Sequence, residues 1–78
     1  MDLTGKQVLV AGLGKSGIAA GALLKKMGCM VCLFDGNEKF DRGAWEKTYP
    51  VFSDCPLWIG ELPDAAVQEM ELAVVSPG

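Results

Sequence analysis

The chain has 78 residues, of which 50% are hydrophobic and 22% charged, and its formal net charge is −3. This length allows one small domain, and an acidic balance without any basic run excludes the electrostatic footprint of a nucleic-acid-binding protein. The longest apolar run is far below the roughly 20 residues that cross a bilayer, and the first residues lack the layout of a signal peptide, so we expect a cytoplasmic protein without a membrane partner.

The first predicted element is a strand over residues 8–11, which runs directly into the glycine-rich turn Gly12-x-Gly14-x-x-Gly17. Gly12 allows a sharp turn, Gly14 allows close approach of a diphosphate, and Gly17 allows the next helix to lie close to the strand. A helix that begins here favours an anion at its N-terminus. This context predicts a Rossmann-like βαβ start. The candidate diphosphate-binding residues are Gly14, Lys15, Ser16 and Gly17.

The helix after the turn is predicted over residues 16–27, and Gly28 ends it. Ser16 leaves two interpretations open, because its hydroxyl could cap this helix or contact a diphosphate. Four apolar side chains recur at the spacing of one helix face and are predicted to face the core: Ala20, Leu23, Leu24 and Met27.

Two other motifs are excluded by their context. Residues 14–16 match the end of a nucleoside-triphosphatase phosphate loop, but that motif requires a glycine where this chain has Leu9. Cys29 and Cys32 form a C-x-x-C at the start of an apolar strand, without a second such pair and without any histidine. Together with Cys55 they are predicted to be buried structural thiols that stay reduced.

A second strand is predicted over residues 30–34, followed by the turn Asp35-Gly36-Asn37. A right-handed crossover places the two strands side by side and parallel, so Asp35 and the glycine turn share one crevice. An acid here accepts hydrogen bonds from ribose hydroxyls and disfavours the 2′-phosphate of NADP. NAD, FAD and sugar nucleotides all satisfy this pattern, and Asp35 could also simply begin a turn.

The remainder of the chain gives weaker signals. Residues 38–47 predict a loop or short helix, because Gly43 interrupts the pattern, and Trp45 and Tyr49 could fill the core or mark an interdomain face. The other elements are apolar runs at 49–52 and 57–60, the second being the better strand candidate, a short acidic helix over 63–70 and a strand over 72–75. This alternation predicts an α/β, Rossmann-like three-layer fold with a parallel sheet, truncated after a strand.

Three segments at this spacing, residues 9–20, 31–35 and 72–78, carry a resemblance to a known family. Their Gly-Leu-Gly-Lys-Ser-Gly turn and closing Val-Val-Ser-Pro-Gly are similar to the N-terminal domain of the UDP-N-acetylmuramoyl-L-alanine:D-glutamate ligases of the Mur ligase family. The resemblance covers nearly the whole chain. It implies that residues 1–78 are the uridine-nucleotide-binding domain of a longer multidomain ligase.

The family resemblance also implies a division of labour. This domain would bind the UDP half of UDP-N-acetylmuramoyl-L-alanine, while further domains in cis bind ATP and D-glutamate for cytoplasmic peptidoglycan precursor synthesis. ATP and magnesium are implied for the full-length enzyme only, and this chain would contain neither catalytic nor metal-binding residues. Lys15 and Ser16 would meet the diphosphate, Asp35 with Gly36 and Asn37 the uridine, and Gly78 would lie beside the bound nucleotide.

The chain departs from the family pattern after the acid. The family often has a hydroxyl residue and an arginine on the uracil face, where this chain has Gly36 and Asn37. Asparagine can hydrogen-bond a uracil edge but cannot stack as a guanidinium does, so Lys39 and Phe40 are alternative contacts.

Two other function classes would use the same residues. An NAD-dependent dehydrogenase or NAD-sensing regulatory domain shares the turn and the acid, and the closing Ser76-Pro77-Gly78 speaks against it. A purely structural interaction domain is the other class, and it predicts no response to nucleotides.

Overall fold

The structure is a computed structural model, and it describes residues 3–75. Within these residues, one sheet has the strands β1 (Gln7–Ala11), β2 (Met30–Asp35), β3 (Leu57–Ile59) and β4 (Leu72–Val75). The connections contain the helices α1 (Lys15–Lys26), α2 (Arg42–Thr48) and α3 (Asp64–Glu69), with a 3₁₀ turn at Pro50–Phe52. The predicted α/β, Rossmann-like class is confirmed.

All strand pairs in the sheet are parallel, and the strand order is β3-β2-β1-β4. Ala11 lies opposite Phe34 on one side and Val75 on the other, so β1, β2 and β4 end at the same edge. The chain moves outward from β1 to β3 and then crosses to the far side of β1. The topological switch point is therefore at the C-terminal ends of β1 and β4, which is where α/β sheets bind their ligands.

The core lies between the sheet and α1. Phe52, in the 3₁₀ turn, is almost fully buried and is stacked against Trp45 with ring centroids 5.2 Å apart. Trp45 and Tyr49 are half-buried and pack against this core, which favours the core interpretation of both aromatics. The central strands contribute side chains at alternate positions, as a sheet face requires: Val8, Val10, Val31 and Leu33.

Helix α1 contacts the sheet through a different face from the one predicted. Its buried residues are Gly17, Gly21 and Leu24, whereas Leu23 is 59% exposed and Met27 is 41% exposed. A Cβ at Gly21 would lie 3.0 Å from the Phe52 ring, so the small residues set the close approach of the helix. The predicted core positions of Leu23 and Met27 are therefore wrong.

The segment after β2 is more helical than its sequence pattern indicates. Gly43 lies inside α2, and the Asp41 side chain caps that helix by accepting a hydrogen bond from the Ala44 N–H at 3.1 Å. The predicted interruption at Gly43 is wrong, because glycine is tolerated near a capped helix start. The strand over 57–60 and the strand over 72–75 are confirmed, and the run at 49–52 forms the 3₁₀ turn.

The cysteines are free thiols in different environments. Cys32 and Cys55 are buried, and Cys29, before β2, is half-buried. Burial raises the pKa of the Cys32 thiol and of the Cys55 thiol above the ordinary value, because the thiolate is poorly solvated there. These two thiols are thereby held in their less reactive, protonated form.

We expect the thiols to react in a fixed order with iodoacetamide in the folded protein at neutral pH. Cys29 should be alkylated first, and Cys32 and Cys55 at least about tenfold more slowly, because they are buried and protonated. Peptide mass spectrometry over time measures the three rates, and the same reaction in urea gives the unprotected reference. Equal rates for Cys29 and Cys55 in the folded protein would contradict the packing described here.

Candidate functional site

The glycine-rich turn is tightly packed where β1 ends. Gly12 has a φ of +93°, a conformation that favours glycine, and its N–H donates to the Phe34 carbonyl at 2.8 Å. A Cβ on Gly17 would lie only 1.8 Å from the Gly12 carbonyl oxygen. The predicted structural roles of Gly12 and Gly17 are therefore confirmed.

The N-terminus of α1 faces the same edge of the sheet. Gly14 is its N-cap, and the first helical hydrogen bond runs from the Ile18 N–H to the Gly14 carbonyl at 2.9 Å. The N–H groups of Lys15, Ser16 and Gly17 precede that bond and have no acceptor within the helix. These three donors, with the positive end of the helix dipole, form an arrangement that favours an anion.

Ser16 does not cap the helix, contrary to one of its two interpretations. The helix begins one residue earlier than predicted, at Lys15, and it has no side-chain capping bond. Because the turn already places Gly14 in an extended conformation before the helix, Ser16 lies inside the first turn. Lys15 and Ser16 are both exposed.

Gly14 differs from the other two glycines of the motif. Its φ of −79° is ordinary for any residue, and an added Cβ would meet no other heavy atom within 4 Å. Neither backbone conformation nor packing within residues 3–75 requires glycine at this position. The open space above Gly14 is therefore a place where a ligand can approach the backbone closely.

Asp35 is the last residue of β2, and its carboxylate holds two backbone N–H groups. One oxygen, Oδ2, accepts from the Leu13 N–H at 3.1 Å, and the other, Oδ1, accepts from the Asn37 N–H at 2.9 Å. The structure thus brings Asp35 and the glycine turn together, and Asp35 also stabilises the turn that follows it. The role of the Leu13 N–H was not visible in the sequence, because a backbone donor leaves no trace in residue types.

The other candidate nucleoside residues lie beside Asp35. Gly36, Asn37 and Lys39 are exposed, and the Asn37 side-chain oxygen accepts from the Lys39 N–H at 3.0 Å. Phe40 is half-buried and packs against Trp45 with ring centroids 5.7 Å apart. The Phe40 ring thus packs against Trp45 and is only partly accessible to a ligand. The predicted position of Gly78 lies outside the described residues.

A cavity of about 240 Å³ lies at the opposite edge of the sheet, between the end of α1 and the start of β2. At its mouth the Lys25 ammonium donates to the Asp54 carboxylate at 2.7 Å and also to the Val51 carbonyl. The hydrogen bond from Lys25 lowers the pKa of the Asp54 carboxyl below its ordinary value. This cavity contains none of the candidate nucleotide-binding residues, so it is separate from the site at the glycine turn.

Two features are absent from residues 3–75. No three histidine, cysteine, aspartate or glutamate side chains in this part of the chain are grouped closely enough to hold a metal ion. None of its helices combines the length and the apolar character needed to cross a membrane.

A parallel sheet with a glycine-rich turn and a helix N-terminus at its switch point defines a Rossmann-like α/β domain. Residues 6–78 match the family model described as "Mur ligase MurD-like, N-terminal domain". The chain belongs to this family, and the resemblance that its residues predict is confirmed.

Individual relatives agree with the family match. The chain is 44% identical over 79 residues to UDP-N-acetylmuramoylalanine--D-glutamate ligase of Caldicellulosiruptor saccharolyticus, 42% identical over 80 residues to that of Lachnospira eligens, and 37% identical over 78 residues to that of Lachnoclostridium phytofermentans. Each match covers 100% of this chain and 17% of the relative. The chain thus spans about one sixth of the length of these ligases.

Proposed function

We propose that this chain is the N-terminal domain of a ligase that binds the UDP part of UDP-N-acetylmuramoyl-L-alanine. The observation that carries the proposal is the open space above Gly14, which lies next to the N–H groups at the start of α1 that have no acceptor within the helix. The similarity to relatives named UDP-N-acetylmuramoylalanine--D-glutamate ligase supports the identity of the nucleotide.

The diphosphate is assigned to Gly14, Lys15, Ser16 and Gly17. The backbone N–H groups of Lys15, Ser16 and Gly17 supply donors that have no acceptor within the helix, and the exposed Lys15 ammonium supplies a positive charge. The Ser16 hydroxyl makes no capping bond and is free to donate to a phosphate oxygen. Gly14 allows the diphosphate to approach the backbone.

The uridine is assigned to Asp35, Gly36 and Asn37. Each Asp35 oxygen accepts one backbone hydrogen bond and retains capacity for another, so the carboxylate can still accept from a nucleoside donor. The exposed Asn37 amide can pair with a uracil edge, and Lys39 is the neighbouring exposed cation. The family resemblance assigns Gly78 to a place beside the nucleotide, and we include that assignment in the proposal.

We assign the chemistry of the enzyme to its other domains. In the proposed reaction ATP phosphorylates the substrate carboxylate, and the amino group of D-glutamate attacks the acyl phosphate, which forms the amide and releases phosphate. No three His, Cys, Asp or Glu side chains within residues 3–75 are grouped closely enough to hold a metal ion. We propose that the ATP and magnesium sites lie in the other domains. The domain contributes substrate binding and no catalytic residue, in a pathway that we place in the cytoplasm.

A nucleotide titration of the full-length protein tests this proposal. NMR follows the amide signals of two groups, residues 14–17 and residues 35–37. We expect UDP to shift both groups of signals, because the diphosphate meets the first group and the uridine meets the second. NAD, added separately, should cause smaller shifts, and uridine alone should shift only the second group.

Two outcomes would contradict the proposal. Larger shifts with NAD would favour the dehydrogenase class, and no shift with either nucleotide would favour a structural interaction domain.

An assay of phosphate release tests the reaction in the same protein. We expect release to require ATP, D-glutamate and UDP-N-acetylmuramoyl-L-alanine together. Phosphate release that proceeds equally without D-glutamate would contradict the ligase activity.

A further inference from the structure

The Asp35 side chain extends the hydrogen-bonded ladder between β1 and β2 by one bond, in which its carboxylate accepts from a backbone N–H of the turn. Backbone pairing ends where the Phe34 carbonyl accepts from the Gly12 N–H at 2.8 Å. The next N–H along the chain, that of Leu13, donates to the Asp35 carboxylate at 3.1 Å instead of to a carbonyl. The carboxylate therefore fixes the backbone of the turn at the residue directly before Gly14.

The Leu13 side chain fixes the same residue from the other direction. It is 5% exposed and belongs to the core between the sheet and α1. Since the side chain is held by the core and the N–H by Asp35, Leu13 cannot rotate without losing one of these contacts. The position of Gly14 and of the α1 N-terminus depends on both contacts.

We propose that Asp35 is a positioning residue for the anion-binding turn, in addition to any contact that it makes with the nucleoside. This inference rests on the proposed function, because it concerns the diphosphate half of the same site. Asp35 holds the Leu13 N–H, the turn keeps Gly14 extended, and the N–H groups of α1 stay directed at the phosphates. One carboxylate thus serves both halves of the ligand.

The positioning role and simple charge repulsion predict opposite changes in pyrophosphate affinity when Asp35 is removed. Asp35 is negatively charged and lies at the edge of the sheet where a diphosphate would bind. If it acted only by charge, its removal would strengthen the binding of inorganic pyrophosphate, which has no nucleoside. If it positions the turn, its removal weakens pyrophosphate binding although a repulsive charge is lost. Pyrophosphate is therefore the probe that separates the two roles.

The test compares the Asp35→Ala and Asp35→Asn variants of the full-length protein with the wild type. We expect the Leu13 amide of Asp35→Ala to exchange with deuterium at least about tenfold faster, because its acceptor is lost. Asp35→Asn retains one side-chain oxygen, so its Leu13 exchange rate should lie between those of the wild type and of Asp35→Ala. Pyrophosphate and UDP should both bind about tenfold more weakly to Asp35→Ala. Asp64→Asn, which neutralises an exposed carboxylate in α3, is the matched control and should change neither quantity.

Different results would overturn different parts of the argument. An unchanged Leu13 exchange rate in Asp35→Ala, or unchanged or tighter pyrophosphate binding, would overturn the positioning role and leave the proposed function intact. If Asp35→Ala does not fold, Asp35→Asn decides between these results by the same two measurements. A wild-type protein that binds neither UDP nor pyrophosphate would overturn the proposed function and this role with it.

Discussion

Replacing Gly17 with alanine is expected to destabilise the protein by about 3 kcal/mol or more, which is a large fraction of the stability of a small domain. The new Cβ would lie 1.8 Å from the Gly12 carbonyl oxygen, and this neighbour is backbone. Helix α1 or the turn must therefore move, and both are held by the core. Urea unfolding, followed by circular dichroism, measures the change in the free energy of unfolding.

Gly43→Ala is the control for the Gly17 substitution. Gly43 also lies near the start of a helix, but its added Cβ would approach only the Asp41 carboxylate, at an ordinary 3.5 Å. Because alanine favours helices more than glycine does, the variant should be neutral or more stable by up to about 1 kcal/mol. If Gly17→Ala were as stable as Gly43→Ala, the close contact between α1 and the turn would be wrong.

Replacing Gly14 with alanine is expected to leave the fold intact and to weaken UDP binding by at least about tenfold. Its φ of −79° suits alanine, and no other heavy atom lies within 4 Å of the added Cβ. The methyl group would instead occupy the space that we assign to the diphosphate. Isothermal calorimetry with UDP measures the affinity, and the free energy of unfolding in urea should stay within about 0.5 kcal/mol of wild type.

The three glycines together separate folding from binding. Gly17→Ala tests packing, Gly14→Ala tests ligand approach, and Gly43→Ala tests neither. Gly14→Val places a larger group in the same open space and should abolish UDP binding without further loss of stability. Wild-type affinity for UDP in Gly14→Ala and Gly14→Val would remove this residue from the proposed diphosphate site.

The sequence predicted the turn well because its constraints are local. A positive φ at Gly12 and a Cβ-free contact at Gly17 follow from the geometry of a strand that turns directly into a helix. The parallel pairing of β1 with β2 also followed, since right-handed crossovers allow few arrangements for parallel strands. Asp35 was placed beside the turn for the same reason.

The sequence failed where a contact depends on the shape of a distant element. The buried face of α1 was assigned from hydrophobic spacing, but Phe52 in the 3₁₀ turn lies so close that only the glycine face fits. The Lys25–Asp54 ion pair and the Asp35–Leu13 hydrogen bond join residues far apart in the chain. Neither pair carries a spacing that a periodic pattern could reveal.

The glycine face of α1 has a consequence for how the candidate site comes into existence. Each of Gly17 and Gly21 lowers intrinsic helix stability by about 1 kcal/mol relative to alanine, and a helix of this length is marginal in isolation. The helix is 12 residues long. It therefore depends on packing against the sheet for its stability, so the anion-binding donors are held in place only where that packing is intact.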